Sequence, residues 1–372
     1  MCHSLDAADR RAGGAKWFAS LPGRRAEPGG APPVGRLPRH RALLGGYPQL
    51  SRNSLELHHS VAARPAQAGP PAGYSRSSVL LGGDRRGGAP PSPSAVTFLG
   101  AREHAQPRVL IVGAPFDRTS SFRSGSRHAP AAIRWASQSI ETYSPVLRTG
   151  LEDAAVADGG DLELEHLTPE AAVDRVAERV GGMVGTIPLL IGGEHTITLG
   201  AVRSLAARYP DLAVLQVDAH ADLRDAYEGR RICHATVMRR VLDRVPADRV
   251  VAVGIRAGTR EEFALAETLR SVSRGLNIPA DVWTWLQRSH VYITIDIDAV
   301  DPADAPGTGN PEPEGIASGE LLAFVRRLRD LHVVGCDLVE VSPPFDPSGR
   351  TAVLAAVLIR ECVLALSGPG PA

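Results

Sequence analysis

Residues 212–222 read Leu-Ala-Val-Leu-Gln-Val-Asp-Ala-His-Ala-Asp, a short and mostly apolar run that ends in two aspartates and a histidine. Short apolar runs that end in glycine or in polar residues recur along the second part of the chain. They are Val109–Val112, Ile187–Ile191, Leu212–Val217, Val250–Val253, Val291–Ile297 and Val333–Val341. Runs of this length without regular alternation are typical of strands covered on both faces, so the pattern predicts a parallel sheet.

Helical signals lie between these runs. Thr168-Pro169-Glu170 predicts a helix start, with Thr168 as the N-cap and Pro169 at the first helical position. Ser318-Gly319-Glu320 predicts another start, ahead of an apolar stripe that begins at Leu321. Strands that alternate with helices predict a single three-layer α/β/α domain with a mainly parallel sheet, here over residues 101–372. Ligand sites in such domains lie beyond the carboxyl ends of the strands.

The first hundred residues differ in composition. Residues 1–90 hold 13 of the 41 basic residues but only 5 of the 41 acidic ones, so a chain of zero formal net charge joins a basic part to an acidic one. Pro-Gly clusters and the lack of a sustained apolar period predict that residues 1–100 form a disordered Arg/Pro/Gly-rich extension. An organellar transit peptide, a nucleic-acid-binding arm and translation from a misplaced start are alternative interpretations.

Cysteine usage and hydropathy bear on the compartment. Cys2, Cys233, Cys336 and Cys362 are widely spaced, which favours free thiols in a reducing compartment. No apolar run in the sequence is long enough to span a bilayer, and the first residues lack the apolar stretch of a secretory signal. We therefore expect a cytoplasmic protein whose partners include neither a membrane nor a nucleic acid.

Three polar clusters follow three of the predicted strands. They are Gly192–Thr196 (GGEHT), Asp218–Asp222 (DAHAD) and Asp296–Asp301 (DIDAVD). Alternate side chains of an extended chain point the same way, so Asp218, His220 and Asp222 are expected to converge. Asp296 and Asp298 are expected to do the same from a second strand. Carboxylates buried at apolar strand ends are costly unless cations or hydrogen-bond donors compensate them.

The composition of these clusters favours metal ions. The candidate ligands are four aspartates and two histidines: His195, Asp218, His220, Asp222, Asp296 and Asp298. A donor set of oxygen and imidazole without thiolate suits manganese better than zinc or copper. Four carboxylates exceed the need of one ion, whereas two ions about 3.5–4 Å apart use bridging oxygens. The alternative is a set of caps and salt bridges at strand ends, but three clusters together favour two metals and a cationic substrate.

From about residue 108 to 362 the chain resembles the ureohydrolase family of arginases and agmatinases, most closely the agmatinase branch. The resemblance rests on motifs throughout this part. They are Gly113–Asp117 (GAPFD), Gly125–Arg127 (GSR), Pro130–Arg134 (PAAIR), Gly192–Thr196, Asp218–Gly229 (DAHADLRDAYEG), Thr294–Gly309 (TIDIDAVDPADAPGTG) and Glu340–Asp346 (EVSPPFD). The family implies hydrolysis of the guanidino group of agmatine to putrescine and urea, two Mn²⁺ ions per subunit, and a homo-oligomer, either a trimer or a hexamer.

The resemblance also implies a role for each residue of the site. One manganese ion takes its ligands from His195, Asp218, Asp222 and Asp296. The other takes them from His220, Asp218, Asp296 and Asp298, so that Asp218 and Asp296 bridge the ions.

A hydroxide between the two ions attacks the guanidinium carbon in the implied reaction. Glu340 orients the guanidinium through charge-assisted hydrogen bonds. Asp298 passes a proton toward the leaving amine, and His234 exchanges that proton with solvent.

Several alternatives remain open at this level. Guanidinobutyrate, guanidinopropionate or, less favoured, arginine could replace agmatine as the small cationic substrate. Two alternatives belong to other functional classes: a non-catalytic homologue, and a deacetylase-like hydrolase with one metal ion. Glu314 stands where relatives of the family usually have a second glycine. We expect it either to be strained, if the position needs a positive φ, or to alter the wall of the substrate entrance.

Overall fold

The computed structural model describes residues 96–102, 104 and 106–368. Apart from residues 96–100, the predicted disordered extension lies outside the described residues.

Strands and helices alternate along the described chain. The strands are β1 (Val109–Ala114), β2 (Tyr143–Ser144), β3 (Thr149–Gly150), β4 (Val156–Asp161), β5 (Ile187–Gly192), β6 (Ala213–Val217), β7 (Val250–Val253), β8 (Ser271–Ser273), β9 (His290–Asp296) and β10 (His332–Val339). The α-helices are α1 (Ala129–Ser137), α2 (Pro169–Gly181), α3 (Thr198–Arg208), α4 (Val237–Val241), α5 (Arg260–Ala266), α6 (Ala280–Leu286), α7 (Ser318–Arg326) and α8 (Arg350–Ser367). All six predicted strands are present, each within two residues of its predicted ends.

Eight strands form one sheet in the order β4-β1-β5-β10-β9-β6-β7-β8. Every pairing in this sheet is parallel, which confirms the predicted parallel architecture. The last strand, β10, lies in the middle of the sheet between β5 and β9. The carboxyl ends of all eight strands therefore meet at one edge, where β5, β10, β9 and β6 are consecutive neighbours.

The sheet buries both of its faces. Successive residues of one strand enter different cores, because side chains alternate across a sheet: Ile111 packs into one hydrophobic cluster and Val112 into the other. Helices α1, α6, α7 and α8 pack on the first face and α2 to α5 on the second. Each fully buried aliphatic side chain stabilises this arrangement by about 1.5–3 kcal/mol relative to an exposed one. The three-layer α/β/α prediction is confirmed.

Both predicted helix starts are confirmed. The side chain of Thr168 accepts a hydrogen bond from the backbone N–H of Ala171, and Pro169 is the first residue of α2. Helix α7 begins at Ser318, as its sequence signal predicts. None of the helices in the described part of the chain combines the length and apolarity that crossing a membrane would need.

Candidate active site

The candidate site lies at the carboxyl ends of the four central strands. His195 follows β5, Glu340 follows β10, Asp296 ends β9, and Asp218 follows β6. These strands are neighbours in space although β5 and β10 are far apart in sequence. The parallel topology therefore brings the three polar clusters and Glu340 together, as ligand sites in such sheets require.

Turns, rather than strand alternation, make the side chains of each cluster converge. Asp222 has a φ of 53°, in the left-handed region that an extended chain never enters. A short 3₁₀ turn over Ile297–Ala299 follows Asp296, whose side chain accepts a hydrogen bond from the backbone N–H of Asp298. The expected convergence is present, but alternation along a strand does not produce it by itself, because β6 ends at Val217 and β9 ends at Asp296.

One group of ligands surrounds His195. Its Nδ1 lies 3.2 Å from Oδ2 of Asp218, 3.2 Å from Oδ2 of Asp222 and 3.4 Å from Oδ2 of Asp296. Nδ1 is buried and has no partner of hydrogen-bond geometry among the described residues. The other ring nitrogen, Nε2, lies 2.8 Å from Oγ1 of Thr294, which orients the ring. A buried nitrogen without a hydrogen bond and three carboxylate oxygens around it are donors of the kind that could hold a metal ion.

A second group shares Asp218 with the first. Nδ1 of His220 lies 2.9 Å from Oδ2 of Asp298 and 3.7 Å from Oδ1 of Asp218. In each of two sets, His195 with Asp218 and Asp222, and Asp218 with His220 and Asp298, the possible ligand atoms all lie within 4.8 Å of one another. Asp218 thus offers one oxygen to each set. Asp296 joins through its contact with His195.

Electrostatics shows that the cluster needs positive charge. Burial, followed by the charge of Asp218, raises the pKa of Asp222 to about 6. Burial, followed by the charges of Asp298 and Asp218, raises the pKa of Asp296 well above its usual value. Burial alone would lower the pKa of His195, but the contacts with Asp218, Asp222 and Asp296 outweigh it and raise that pKa well above its usual value. Divalent cations would relieve the same repulsion, so the residues fit the metal ions that the sequence predicts.

Glu340 joins this cluster from β10. It has a φ of 63°, and its Oε1 accepts a 2.7 Å hydrogen bond from the backbone N–H of His195. Burial and then the nearby charge of Glu194 raise the pKa of Glu340 well above its usual value. A Cβ on Gly309 would lie 3.3 Å from Oε2 of Glu340, so a larger residue there would require that oxygen to shift by a few tenths of an ångström.

A cavity of about 380 Å³ opens over these groups. Candidate ligands and Glu340 form its base. Further lining residues come from the surrounding loops: Ser121, Phe122, Arg224, Tyr227, His234, Asn310 and Glu312. Nε of Arg224 lies 3.5 Å from Oε2 of Glu262, and its guanidinium stands over the ring of Tyr227 at 5.2 Å. The cavity suits a cation, because carboxylates line it and its one lining arginine is already paired.

Glu314 does not form part of this wall. Its φ is 59°, so the expectation of backbone strain is confirmed. Its carboxylate instead lies 2.8 Å from Arg274, in an ion pair whose side chains are both exposed. The expected change in the substrate entrance is therefore wrong, and the residues of this loop that line the cavity are Pro311 and Glu312.

His234 lies at the side of the cavity. Its Nε2 is 3.3 Å from Oγ of Ser121, its Nδ1 is 3.4 Å from Oγ1 of Thr119, and its ring meets that of Tyr227 edge to face. Burial, followed by the positive charges of His220 and His195, lowers the pKa of His234 to about 4. His234 is thus neutral near pH 7.

Two residues of the site escaped sequence analysis. Glu194 is fully buried and accepts hydrogen bonds from Thr119 and Thr196. Glu194 lies inside the GGEHT motif, where its position next to a candidate ligand was the available signal. Thr119 carries no such signal, because a threonine in a polar loop is commonplace.

Comparisons with known proteins agree with this geometry. The sequence profile of the arginase family matches residues 107–365. An agmatinase from Bacillus anthracis is 41% identical over 268 residues, which cover 69% of this chain and 91% of the relative. A guanidinobutyrase from Pseudomonas aeruginosa is 35% identical, with coverages of 69% and 86%. The crystal structure of agmatine ureohydrolase of Thermoplasma volcanium superposes with a TM-score of 0.67 at 36% identity, covering 73% of this chain and 94% of that one.

The matched residues contain every strand of the main sheet and every candidate ligand. The chain therefore belongs to the arginase family and is an agmatinase-like ureohydrolase.

Proposed function

We propose that this enzyme hydrolyses the guanidino group of agmatine, giving putrescine and urea, with two Mn²⁺ ions in the site. The observation that carries the proposal is the pair of ligand sets that share Asp218 at the base of the same cavity that Glu340 lines. Such a pair of ligand sets can hold two metal cations. The carboxylate of Glu340 beside them can bind a third cation, the guanidinium of the substrate.

The metal assignment follows the donors. His195, Asp218, Asp222 and Asp296 would hold one ion, and His220, Asp218, Asp296 and Asp298 the other. Two divalent ions bound there would offset the four carboxylates and lower the pKa of a water molecule held between them. Oxygen and imidazole donors without thiolate favour manganese over zinc or copper.

Glu340 would bind the guanidinium. Its carboxylate can accept two N–H donors of the planar cation, and the positive charge lowers the pKa that burial raises. The hydrogen bond from the backbone of His195 fixes one oxygen, so the guanidinium carbon is held above the metal ligands. This arrangement orients the substrate before any bond changes, which is a large part of the catalytic task.

We assign proton transfer to Asp298 and His234. Hydrolysis adds one water molecule: its oxygen becomes the urea oxygen, and both of its protons pass to the leaving nitrogen, because the guanidinium already carries the four protons of urea. Oδ2 of Asp298 lies among the ligands, where it can receive a proton and pass it to the leaving amine. Neutral His234 on the cavity wall can exchange the proton with solvent.

The distal end of the substrate decides between agmatine and a guanidino acid. Glu312 lines the cavity with a side chain that is 40% exposed, and its Oε1 is 3.8 Å from Nε2 of His220. Arg224 is the lining group that could receive a carboxylate, and this favours guanidinobutyrate as the second candidate. Because Arg224 is paired with Glu262, we favour the second cationic end of agmatine.

A urea-release screen tests this choice. Purified, Mn²⁺-loaded enzyme is assayed with agmatine, guanidinobutyrate, guanidinopropionate and arginine, and kcat/KM is compared. We expect agmatine to have the highest value. A guanidino acid that exceeds agmatine by about tenfold, a difference of about 1.4 kcal/mol, would overturn the substrate assignment. No urea from any of the four would overturn the proposed function.

We assign residues 101–372 to the catalytic domain because the family match lies within them, and residues 1–100 to a separate extension. A cytoplasmic location is supported by three free, buried cysteines, which are Cys233, Cys336 and Cys362. A homo-oligomer, trimer or hexamer, rests on the family resemblance, and light scattering of the purified chain tests it.

A further inference from the structure

Three hydrogen-bond donors converge on the buried carboxylate of Glu194. The backbone N–H of Thr119 donates to Oε2 at 2.7 Å, and the hydroxyls of Thr119 and Thr196 both donate to Oε1, the latter at 2.6 Å. The residue is fully buried, although it neither lines the cavity nor belongs to either ligand set. Burial raises the pKa of Glu194, and the hydrogen bonds from Thr119 and Thr196 oppose that rise. Because all three donors are directed at its two oxygens, Glu194 is the acceptor in each contact, and each threonine hydroxyl directs its proton at Glu194.

This arrangement determines whether the hydroxyl of Thr119 donates a hydrogen bond to His234 or accepts one from it. A threonine hydroxyl has one proton and two lone pairs. With the proton directed at Glu194, Oγ1 of Thr119 can only accept. It lies 3.3 Å from the backbone nitrogen of His234 and 3.4 Å from its Nδ1. Both nitrogens must therefore donate if both contacts are satisfied.

We propose that Glu194 is a positioning residue that acts through Thr119 to fix the tautomer of His234, with the proton on Nδ1 and the lone pair on Nε2. A neutral imidazole carries one ring proton, and the hydrogen bond made by one nitrogen sets the state of the other. Ser121, which also lines the cavity, has its hydroxyl 3.3 Å from Nε2 and can donate to it.

The consequence is a defined polarity at the cavity wall. His234 presents an acceptor to the cavity, whereas the opposite tautomer would present a donor. The neutral form that the proposal requires agrees with the lowered pKa of His234. The role of His234 in turnover rests on the proposed function, but the tautomer is a property of the resting protein and can be measured without substrate.

Nitrogen-15 NMR of the imidazole rings tests the assignment. The full-length chain is labelled at histidine and studied with diamagnetic Mg²⁺, and a His234→Asn variant identifies the His234 signals. We expect a protonated Nδ1 and an unprotonated Nε2 in the unsubstituted protein. A proton on Nε2 there would overturn the proposal.

Glu194→Gln should reverse the direction of the hydrogen bonds between residue 194 and the two threonine hydroxyls. The backbone N–H of Thr119 still needs the amide oxygen, so the amide NH₂ faces the two hydroxyls and donates to them. The hydroxyl of Thr119 then turns its proton toward Nδ1 of His234, and we expect the ring proton to move to Nε2. A folded Glu194→Gln protein, judged by unchanged Tm and metal content, that keeps the proton on Nδ1 would also overturn the proposal.

Threonine variants provide matched controls. Thr196→Val removes a hydroxyl from the same carboxylate without touching the contact to His234, so the tautomer should not change. Thr119→Val removes the connection, and Thr119→Ser restores it. With the best substrate of the urea screen, Glu194→Gln and Thr119→Val should lower kcat by about 10²-fold, the low end of a general acid–base contribution, with KM little changed. A tautomer that changes in Thr196→Val but not in Thr119→Val would contradict the inference.

Discussion

The backbone N–H of His195 donates a 2.7 Å hydrogen bond to Oε1 of Glu340, which joins the end of β5 to the end of the adjacent strand β10. A second bond, from the backbone N–H of Glu340 to the carbonyl of Gly193, closes the same junction at 2.8 Å. His195, a proposed metal ligand, and Glu340, the proposed guanidinium ligand, are therefore held by one pair of hydrogen bonds. A Cβ on Gly193 would lie 1.9 Å from the carbonyl oxygen of Phe116, so the junction requires glycine there.

Glu340→Gln should damage recognition of the substrate and spare the junction. The amide oxygen can still accept from His195, but the negative charge that pairs with the guanidinium is lost. A charge-assisted hydrogen bond contributes about 1.5–3 kcal/mol, so we expect kcat/KM to fall by about 10- to 100-fold, mainly through KM. Urea-release kinetics measure this, with metal content as the check on integrity. Glu312→Gln is the matched control and should weaken guanidinium binding less; unchanged kcat/KM in Glu340→Gln would remove Glu340 from the site.

Metal stoichiometry should distinguish a shared ligand from an unshared one. Asp218 belongs to both ligand sets, whereas Asp222 belongs only to the first and His220 only to the second. Asp218→Asn should therefore reduce binding of both ions, while Asp222→Asn and His220→Asn should each leave about one. Elemental analysis after dialysis from limiting Mn²⁺ measures the difference. Equal losses in all three variants would show that Asp218 is not shared.

Acid should destabilise the protein through His234. Burial lowers its folded-state pKa to about 4, below the value of about 6.5 of an unfolded histidine. Protonation therefore favours the unfolded chain. The contribution of neutral His234 to the free energy of unfolding is fully present above pH 6.5 and is lost as the pH falls through 4. Its full size is roughly 3 kcal/mol.

Denaturant unfolding of the metal-free protein between pH 7 and pH 4 tests this contribution. His234→Gln should lose less stability over that range than the unsubstituted chain. His128→Gln, at an exposed histidine, is the control. Parallel curves for the unsubstituted protein and His234→Gln would contradict the shift.

Glu314→Gly should stabilise the fold. A side chain at a φ of 59° is strained by about 1–2 kcal/mol, which exceeds the entropic cost of glycine, about 0.5–1 kcal/mol. The exposed pair with Arg274 contributes little. We expect the free energy of unfolding to rise by about 0.5–1 kcal/mol with activity unchanged. Glu261→Gly, inside α5, should instead lower it by about 1 kcal/mol, and a loss of similar size in both variants would refute the strain argument.

Deleting residues 1–95 should leave urea release intact. The strands, the ligands and Glu340 all lie between residues 109 and 340, and the family match begins at residue 107. Comparison of kcat/KM and Tm between the full and shortened chains measures the effect. A tenfold loss of activity would mean that the extension contributes to the catalytic domain.

The interior of the sheet could be predicted from sequence, and its edges could not. β7 matches its predicted run Val250–Val253 because both of its faces are apolar. β4 ends in exposed residues and β8 has only partly buried ones, so neither carries the apolar signal of a covered strand. Both are edge strands, which need only one neighbour and one covered face.

The charged residues of the site could be predicted from the sequence, but the hydrogen bonds that position them could not. The six candidate ligands are unusual enough in type and spacing to stand out in a single sequence. The contact between Thr119 and Glu194 joins residues 75 positions apart, and no local pattern encodes it. The positive φ values of Asp222 and Glu340 were equally hidden, because they belong to turns that only the assembled sheet stabilises.

The position of β10 has a consequence for how the enzyme is made. This strand leaves the ribosome after the other seven strands of the sheet, yet it separates β5 from β9 at the centre of the sheet. A nascent chain that stops before residue 332 consequently holds two half-sheets with unpaired inner edges, and such edges invite association with other chains. Capture of the proposed metal ions should then be a late event in biosynthesis, and stalled chains with and without β10 should differ sharply in the metal they retain and in their demand for chaperones.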